Sequence, residues 1–239
     1  MRSLIFALRF LTRLPLPGTA PAGPDSLAAA AKWFPLIGLI IGALLAMAHA
    51  LGARVDPWLG ALLATIFWIA ITGGLHLDGL ADLADALGGA HRDPAKLLAI
   101  MRDPHTGVFG MIALWTMLSA KLVLLMLLAR RPDALWAVLL IPAWARLGPL
   151  IWSQTLPPLR EGLGQHCAHT PQWAIWLVWI ALLGAASWHA APGLLFAPLV
   201  LAAWWLFLKR RVGGMNGDCL GAGVETGEAL LLGLALLQV

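Results

Sequence analysis

The chain of 239 residues is strongly apolar: 60% of its residues are hydrophobic, 12% are charged and thirteen are Trp. Its mean hydropathy of +0.82 and its repeated apolar stretches exceed what a soluble core requires and match helices that span a bilayer. The formal charge of +4 is explained by membrane topology and anionic lipid, and no basic aromatic groove indicates nucleic-acid binding. We therefore predict an all-α, polytopic membrane protein, with residues 1–239 in one helical domain because no repeat or long linker divides them.

Residues 1–16 do not form a secretory signal, because Arg9 and Arg13 interrupt the apolar run. On a helix, Arg2, Arg9 and Arg13 fall within an arc of about 40°, and leucines occupy the other faces. This pattern is typical of an amphipathic helix that lies at the lipid headgroups. A cytoplasmic tail with retention charges would give the same pattern.

Seven apolar stretches predict transmembrane helices, at residues 33–52, 57–75, 107–129, 134–152, 172–190, 193–208 and 225–239. With the N-terminus in the cytoplasm, eleven of the sixteen Lys and Arg fall in inner segments and three in outer loops, as retention of basic residues on the cytoplasmic side requires. The remaining two, Lys121 and Arg146, lie within spans and are expected to face a polar interior. Gly38 and Gly42 form a GxxxG pattern in the first span, which permits close helix contact.

Eight of the twelve carboxylates lie in two short segments, and this topology places both segments on the cytoplasmic side. After the second span, Asp78, Asp82 and Asp85 stand at i, i+4 and i+7, within an arc of about 60° on one helix face. Such acids repel one another unless a cation joins them, and Mg²⁺ takes oxygen ligands. A solvated helix face is the alternative, but such a face normally mixes Lys, Glu and Ser among its acids.

The second acidic segment runs from the basic triplet at Lys209 through a glycine-rich turn to three acids. Gly213, Gly214 and Gly217 let backbone N–H groups approach an anion closely, and nearby cations hold phosphate. Taken alone, the segment could be a loop whose basic residues keep it in the cytoplasm. Because the aspartates of the first segment lie on the same side, we predict that this segment is the second half of a metal and diphosphate site. The predicted metal ligands are Asp78, Asp82, Asp85, Asp218, Glu225 and Glu228.

Two Asp-Pro pairs between the acidic segments are typical of a helix N-cap followed by proline. We interpret Asp93 as a cap, whereas Asp103 is either a cap or part of the site. The candidate phosphate-binding cations are Arg102, Arg146, Arg160 and Lys209. An ion pair is the alternative for Arg146, and also for Arg160, which precedes Glu161. We predict no disulfide between Cys167 and Cys219, since both fall on the reducing, cytoplasmic side.

Five motifs, in this order, resemble the cobalamin synthase family, the adenosylcobinamide-GDP ribazoletransferases. They are GGLHLDGLADLADALGG, MRDPHTGVFG, the span of Arg146, REGLG and KRRVGGMNGDCLGAGVETGE, and residues 10–15 are similar to that family's N-terminal segment. The resemblance covers nearly the whole chain. Asn216 stands where the family often has Thr, and Leu83 stands where a small polar residue is common; neither departure removes an acid.

The resemblance implies an inner-membrane, Mg²⁺-dependent enzyme that joins adenosylcobinamide-GDP to α-ribazole or its 5′-phosphate and releases GMP, with an active site facing the cytoplasm and the chain as a possible homo-oligomer. By motif position, Asp78, Asp82 and Asp85 carry over as the acidic signature, and the acids of the second segment are its counterpart. His76, Asp85 and Asp103 are the candidate general bases, unless the metal acidifies the attacking hydroxyl enough by itself.

Two other classes remain open. Another membrane transferase acting on a diphosphate, of the CDP-alcohol or polyprenyl type, would use the same acids, although its characteristic acidic patterns are absent from this sequence. A cation transporter would place acids in its ion pathway. The acids here follow span ends among glycines and basic residues, which favours an anionic substrate at the cytoplasmic face.

Overall fold

A computed structural model of the chain describes residues 2–15, 24–91, 93–131, 133–159 and 172–237. These residues form helices joined by short turns, with one isolated bridge between Pro158 and Met215. The α-helices are α1 (Arg2–Leu11), α2 (Pro24–Ala31), α3 (Phe34–Ala53), α4 (Pro57–Thr72), α5 (Leu75–Gly89), α6 (Pro94–Ile100), α7 (Val108–Ala129), α8 (Ala134–Thr155), α9 (Trp173–Ala190), α10 (Ala197–Phe207) and α11 (Gly217–Leu236). A 3₁₀ turn, Pro192–Phe196, precedes α10, and a π-helical turn, Leu208–Val212, follows it.

Six segments in the described part of the chain are long and apolar enough to cross a membrane: α3, α7, α8, α9, the continuous segment Pro192–Val212 and α11. The pair α4 and α5 is a seventh candidate, bent by 88° between its two helices. The prediction of a polytopic, all-α membrane protein is therefore confirmed, with α4 in the place of the predicted second span.

The bend between α4 and α5 comes from two consecutive glycines. Gly73 and Gly74 have φ of +64° and +72°, in the left-handed region that glycine adopts without the steric cost of a Cβ. The sixteen residues of α4 extend about 24 Å along its axis. The aspartate-bearing helix α5 then turns nearly perpendicular to α4 instead of continuing the span.

The predicted start of the last span at residue 225 is wrong, because α11 begins at Gly217. Asn216 caps this helix: its side-chain oxygen accepts a hydrogen bond from the backbone N–H of Cys219 at 2.9 Å. Glu225 and Glu228 therefore lie within α11 and inside the helix bundle, about two and three turns from the start of α11.

Helix α8 is the most enclosed of the long helices, whereas α9 lies at the periphery with most of its residues exposed. Helices α3 and α8 pack closely through glycine. A Cβ on Gly38 would lie 2.5 Å from the Cα of Ala143, and a Cβ on Gly42 would overlap the backbone of Leu139. The prediction that the GxxxG pattern permits close helix contact is confirmed.

The predicted N-terminal helix forms as α1 and is held against the bundle at two points. The Trp33 indole donates a hydrogen bond to the Ser3 hydroxyl at 3.1 Å, and the Arg13 backbone N–H donates to the Ile71 carbonyl at 2.7 Å. These bonds join α1 to the start of α3 and the end of α4. Its location at the lipid headgroups stays a prediction.

Candidate active site

A cavity of about 300 Å³ lies where α1, α2 and the start of α3 meet the start of α5, the last part of α8 and the start of α11. In a chain that crosses the membrane alternately, the start of α3 and the ends of α4 and α8 lie on the same side as the start of α11. Asp78 and Gly217 are exposed at the rim of the cavity, whereas His76 and Arg146 are buried at its floor.

The two acidic segments meet at this cavity, because Asp78 of α5 and Asp218 of α11 both line it. Glycines allow the two helices to touch. A Cβ on Gly79 would lie 2.9 Å from the Cα of Asp218, and a Cβ on Gly221 would lie 3.3 Å from the Cα of His76. Side chains at these positions would separate the helices, so the local sequence directly fixes how close the two aspartates come.

Asn216 orients Asp218 at the start of α11. Its side-chain nitrogen donates a hydrogen bond to Asp218 Oδ2 at 2.8 Å, while its oxygen caps the helix. The positive end of the helix dipole favours an anionic side chain in the first turn. Sequence reasoning treated Asn216 only as a departure in the turn, although a polar residue directly before a helix is a recognisable capping signal.

Glu225 and Glu228 belong to a buried ion cluster with Lys121 and Arg146. The Lys121 ammonium lies 2.6 Å from one oxygen of each glutamate, and Arg146 Nη1 lies 2.7 Å from the second oxygen of Glu228. Each of these side chains is at most 4% exposed, and Lys121 also lies 4.2 Å from the ring centroid of Trp68. A buried carboxylate requires a paired charge, which the protein itself provides here. The metal-ligand role of the two glutamates stays a prediction beside these ion pairs.

Arg146 is held on one edge of its guanidinium group only. Nη1 donates to Glu228 and to the Pro142 carbonyl at 3.1 Å. Nε and Nη2 are buried and have no hydrogen-bond partner in the described part of the protein. His76 Nδ1, also at the cavity floor, is buried without a partner in the same way. Since an unsatisfied buried polar group costs about 1–3 kcal/mol, the two unpartnered guanidinium nitrogens are suited to bind an anion.

Asp85 caps α7. Its two carboxylate oxygens accept hydrogen bonds from the backbone N–H groups of Gly107 at 2.7 Å and Gly110 at 2.9 Å. These N–H groups, at the start of a helix, have no partner within it. The carboxylate thus accepts two backbone hydrogen bonds outside the cavity lining, and its metal-ligand and base roles stay predictions. Asp82, one turn nearer the cavity on the same helix, is half-buried and stays a predicted ligand.

The loop before α7 lies outside the lining of the cavity, and both Arg102 and Asp103 are exposed there. Asp103 accepts hydrogen bonds from the backbone N–H of His105 at 3.0 Å and from its ring Nδ1 at 2.7 Å. These bonds hold the pKa of the Asp103 carboxyl below its usual range. Asp103 does not cap α7, which starts at Val108, and its role in the site stays a prediction.

The other Asp-Pro pair behaves as the sequence predicts. Asp93 caps α6, because its side chain accepts hydrogen bonds from the backbone N–H groups of Ala95 at 2.9 Å and Lys96 at 3.3 Å.

The basic triplet and the glycine turn before α11 contribute to the site unequally. Lys209 is exposed and lies 4.7 Å from the ring centroid of Trp205. Gly213, with a φ of +87°, ends the π-helical turn, and a Cβ on Gly214 would lie 2.5 Å from the Pro157 carbonyl oxygen. Of the three predicted glycines, Gly217 alone lines the cavity within the described ranges. The predicted clamp residue Arg160, like Cys167, falls outside those ranges.

The chain matches the family model of cobalamin-5-phosphate synthase over residues 3–236. It belongs to the cobalamin-5-phosphate synthase family. It is 53% identical over 239 residues to a protein of Laribacter hongkongensis, covering 99% of this chain and 97% of that relative. Proteins of Thiobacillus denitrificans and Novosphingobium aromaticivorans are 49% and 47% identical, covering 98% and 99% of this chain and 95% and 97% of the relatives. All three are named adenosylcobinamide-GDP ribazoletransferase. No solved structure matches the chain.

The rim of the cavity fits the Mg²⁺ expected from resemblance to this family. In the described part of the chain, no three Asp, Glu, His or Cys side chains form a group that holds a metal by themselves. Mg²⁺, however, usually takes one or two carboxylates and completes its octahedral shell with water and substrate phosphate oxygens. Asp78 and Asp218 at the cavity, with Asp82 on the same helix face as Asp78, are the side chains that would hold it.

Proposed function

We propose that this member of the cobalamin-5-phosphate synthase family is an adenosylcobinamide-GDP ribazoletransferase, which joins adenosylcobinamide-GDP to α-ribazole or its 5′-phosphate and releases GMP. One observation carries the proposal: the two acidic segments meet at a single cavity that is also lined by buried Arg146. The guanidinium group of Arg146 has hydrogen-bond partners at Nη1 only. The curated relatives of that name support it across nearly the whole chain.

The reaction transfers a substituted phosphoryl group. A ribose hydroxyl of the nucleoside attacks the phosphorus that carries the cobinamide, the bond from that phosphorus to GMP breaks, and GMP leaves with the electron pair. Such transfers depend chiefly on positioning and charge neutralisation. When bound by Asp78, Asp82 and Asp218, Mg²⁺ would supply neutralisation of the diphosphate charge.

Arg146 binds diphosphate oxygens through Nε and Nη2. These two nitrogens form the edge of a planar fork whose geometry matches two phosphate oxygens, and arginine stays charged when desolvated. Glu228 and the Pro142 carbonyl fix the opposite side of the guanidinium group, so that the fork is oriented before the substrate arrives. Arg102, Arg160 and Lys209 remain secondary candidates for contacts at the cytoplasmic surface.

His76 receives the proton of the attacking hydroxyl. Of the three predicted bases, Asp85 is occupied as a cap and Asp103 lies outside the cavity, whereas His76 lines the floor with Nδ1 unpartnered. In the tautomer that carries the ring proton on Nε2, the lone pair of His76 Nδ1 can accept a proton.

The active site faces the cytoplasm of an inner-membrane protein. Support comes from the excess of Lys and Arg in the segments that share a side with the cavity, following the positive-inside rule. A cytoplasmic opening also gives adenosylcobinamide-GDP, which is large and charged, access without crossing the bilayer.

The proposal is tested with purified protein in detergent or lipid, supplied with adenosylcobinamide-GDP and α-ribazole or its 5′-phosphate. We expect one GMP released for each nucleoside joined, and loss of both products when Mg²⁺ is removed with a chelator. GMP release without joining of the nucleoside, or cation flux across proteoliposomes in the absence of any transfer, would contradict the proposed function.

A further inference from the structure

The cavity is divided chemically, and the division follows the helices. Its charged lining, the aspartates, His76 and Arg146, comes from α5, α8 and the start of α11, which also contribute apolar residues such as Leu75, Pro149 and Val224. The described lining from α1, α2 and the start of α3 is, by contrast, entirely apolar. This apolar wall consists of Phe10, Leu11, Leu27, Ala31 and Phe34.

The apolar wall is preformed. The Phe10 and Phe34 rings are stacked, with centroids 6.1 Å apart and an interplanar angle of 13°. Leu11 and Ala31 are 2% and 1% exposed, so they are packed into the core as well as facing the cavity. Because the hydrogen bonds from Trp33 and Arg13 hold α1 in place, this wall keeps its shape without a ligand.

Size and polarity identify the group that fits this wall. The cavity, at about 300 Å³, is at the lower limit of small-molecule sites and is far too small for a corrin ring. Guanine carries several hydrogen-bond donors and acceptors, which an apolar wall would leave unsatisfied. The dimethylbenzimidazole base of α-ribazole is flat and almost wholly apolar.

We propose that the apolar wall of α1, α2 and α3 binds the aromatic base of α-ribazole, while the corrin ring of the other substrate stays outside the cavity. This inference rests on the proposed function. With the base on the apolar side and the diphosphate on the polar side, the ribose lies between them. The division of the cavity thereby brings the nucleoside hydroxyl to the phosphorus, and the N-terminal helix becomes part of the substrate site.

The test compares two alanines on α2. Ala31 lines the cavity, whereas Ala29 is exposed on the same helix. Ala31→Leu fills space beside the base, so kcat/KM for α-ribazole should fall by roughly tenfold or more relative to the α-riboside of benzimidazole, which lacks the two methyl groups. The KM for adenosylcobinamide-GDP should stay unchanged. Ala29→Leu should leave the ratio of the two nucleosides at the wild-type value.

A second variant guards against misfolding of Ala31→Leu. Leu27→Ala enlarges the same wall and should shift the kcat/KM ratio toward the bulkier α-riboside of naphthimidazole. Each ratio is measured within one preparation, so the folded fraction cancels.

An unchanged kcat/KM ratio of the nucleosides in Leu27→Ala would overturn the assignment of the wall but not the proposed function. A raised KM for adenosylcobinamide-GDP in Ala31→Leu, with normal use of both nucleosides, would do the same. Absence of transfer by the wild-type protein with any nucleoside would instead overturn the proposed function and this inference with it.

Discussion

Arg146 is a fully buried cation that has an anionic partner on one edge and no partner on the other. A purely structural arginine is expected to satisfy its donors within the protein, because each unsatisfied buried group lowers stability. Unpartnered Nε and Nη2 atoms, in a residue that lines the cavity, are what distinguish a binding arginine from a structural one here. The geometry therefore favours the clamp interpretation, and the ion pair with Glu228 is what orients it.

Replacing Arg146 by Lys tests this interpretation at constant charge. Lysine keeps a cation near Glu228 but loses the planar fork, so Arg146→Lys should raise the KM or lower the kcat for adenosylcobinamide-GDP roughly tenfold or more. The apparent affinity for α-ribazole should be nearly unchanged. Steady-state kinetics with each substrate varied in turn provides the measurement. Full activity of the variant would make Arg146 a structural ion pair.

The buried ion cluster should contribute strongly to stability. Lys121→Met leaves two buried glutamates with a single cation, Arg146, and should lower the free energy of unfolding by about 3–5 kcal/mol. Lys96→Met, at an exposed position of α6, is the matched control and should change stability little. Both are compared by thermal unfolding in the same detergent. Equal stability of the two variants would show that the buried negative charges of the glutamates are neutralised without Lys121.

Helix α5 distributes its aspartates between two neighbours. Asp78 lines the cavity beside α11, whereas Asp85, two turns later, packs against the start of α7. Their spacing of i, i+4 and i+7 correctly predicted one helix face. The spacing did not reveal that the C-terminal part of this face contacts α7, because the position of α7 depends on tertiary packing.

Asp85→Asn should act on stability rather than on metal use. Asp85 uses both oxygens as a cap, and Asn supplies only one acceptor, so unfolding should become easier by about 0.5–2 kcal/mol. Asp93 caps α6 through Oδ1 alone, so Asp93→Asn should be nearly neutral. Thermal unfolding and the Mg²⁺ dependence of transfer are measured for both. A weakened Mg²⁺ dependence in Asp85→Asn, without a change in stability, would identify Asp85 as a ligand.

Element boundaries were predictable where apolar runs end in turn residues or charges. The ranges of α7, α8 and α9 agree with the predicted spans within a few residues. Helix α11 starts eight residues before the predicted span, because Asp218 and the glycines of its first two turns make that stretch less apolar than a typical span. The buried ion pairing of Glu225 and Glu228 was not predictable. Their partner Lys121 is more than a hundred residues away in sequence, and no local pattern indicates that pairing.

At the scale of the whole molecule, the cavity is lined by helix ends that lie on one side of the membrane if the chain crosses it alternately. Exposed Trp58, Trp136 and Trp188 lie at the starts of α4 and α8 and the end of α9, all on the opposite side. Tryptophan favours the headgroup region, so the positions of these three residues fit a membrane face on that side. This arrangement gives the predicted topology a geometric basis.

Reporter fusions test that topology directly. A reporter after Arg92 and one after Gly214 should both be cytoplasmic, because the acidic segments share the cavity. A reporter after Arg131, between α7 and α8, should be external and is the matched control. Opposite locations for the first two reporters would contradict a shared site.

The sequence was most informative about chemistry and least about side-chain partners. Asp78 and Asp218 could be assigned to one site because span counting put their segments on one face. The apolar wall could not be found, since Phe10 and Phe34 meet only when α1 folds against α3. The role of Asn216 beside Asp218 likewise depends on the geometry of a turn rather than on residue type alone.

The central claim is that transfer occurs where Asp78 and Asp218 meet, and the most direct measurement is product formation by variants of these residues. Asp78→Asn and Asp218→Asn should each reduce turnover by roughly a hundredfold or more while insertion and thermal unfolding stay close to wild type. Asp56→Asn is the matched control, because Asn caps α4 as well as Asp and the residue lies outside the cavity. Turnover near wild type in both cavity variants would contradict the account.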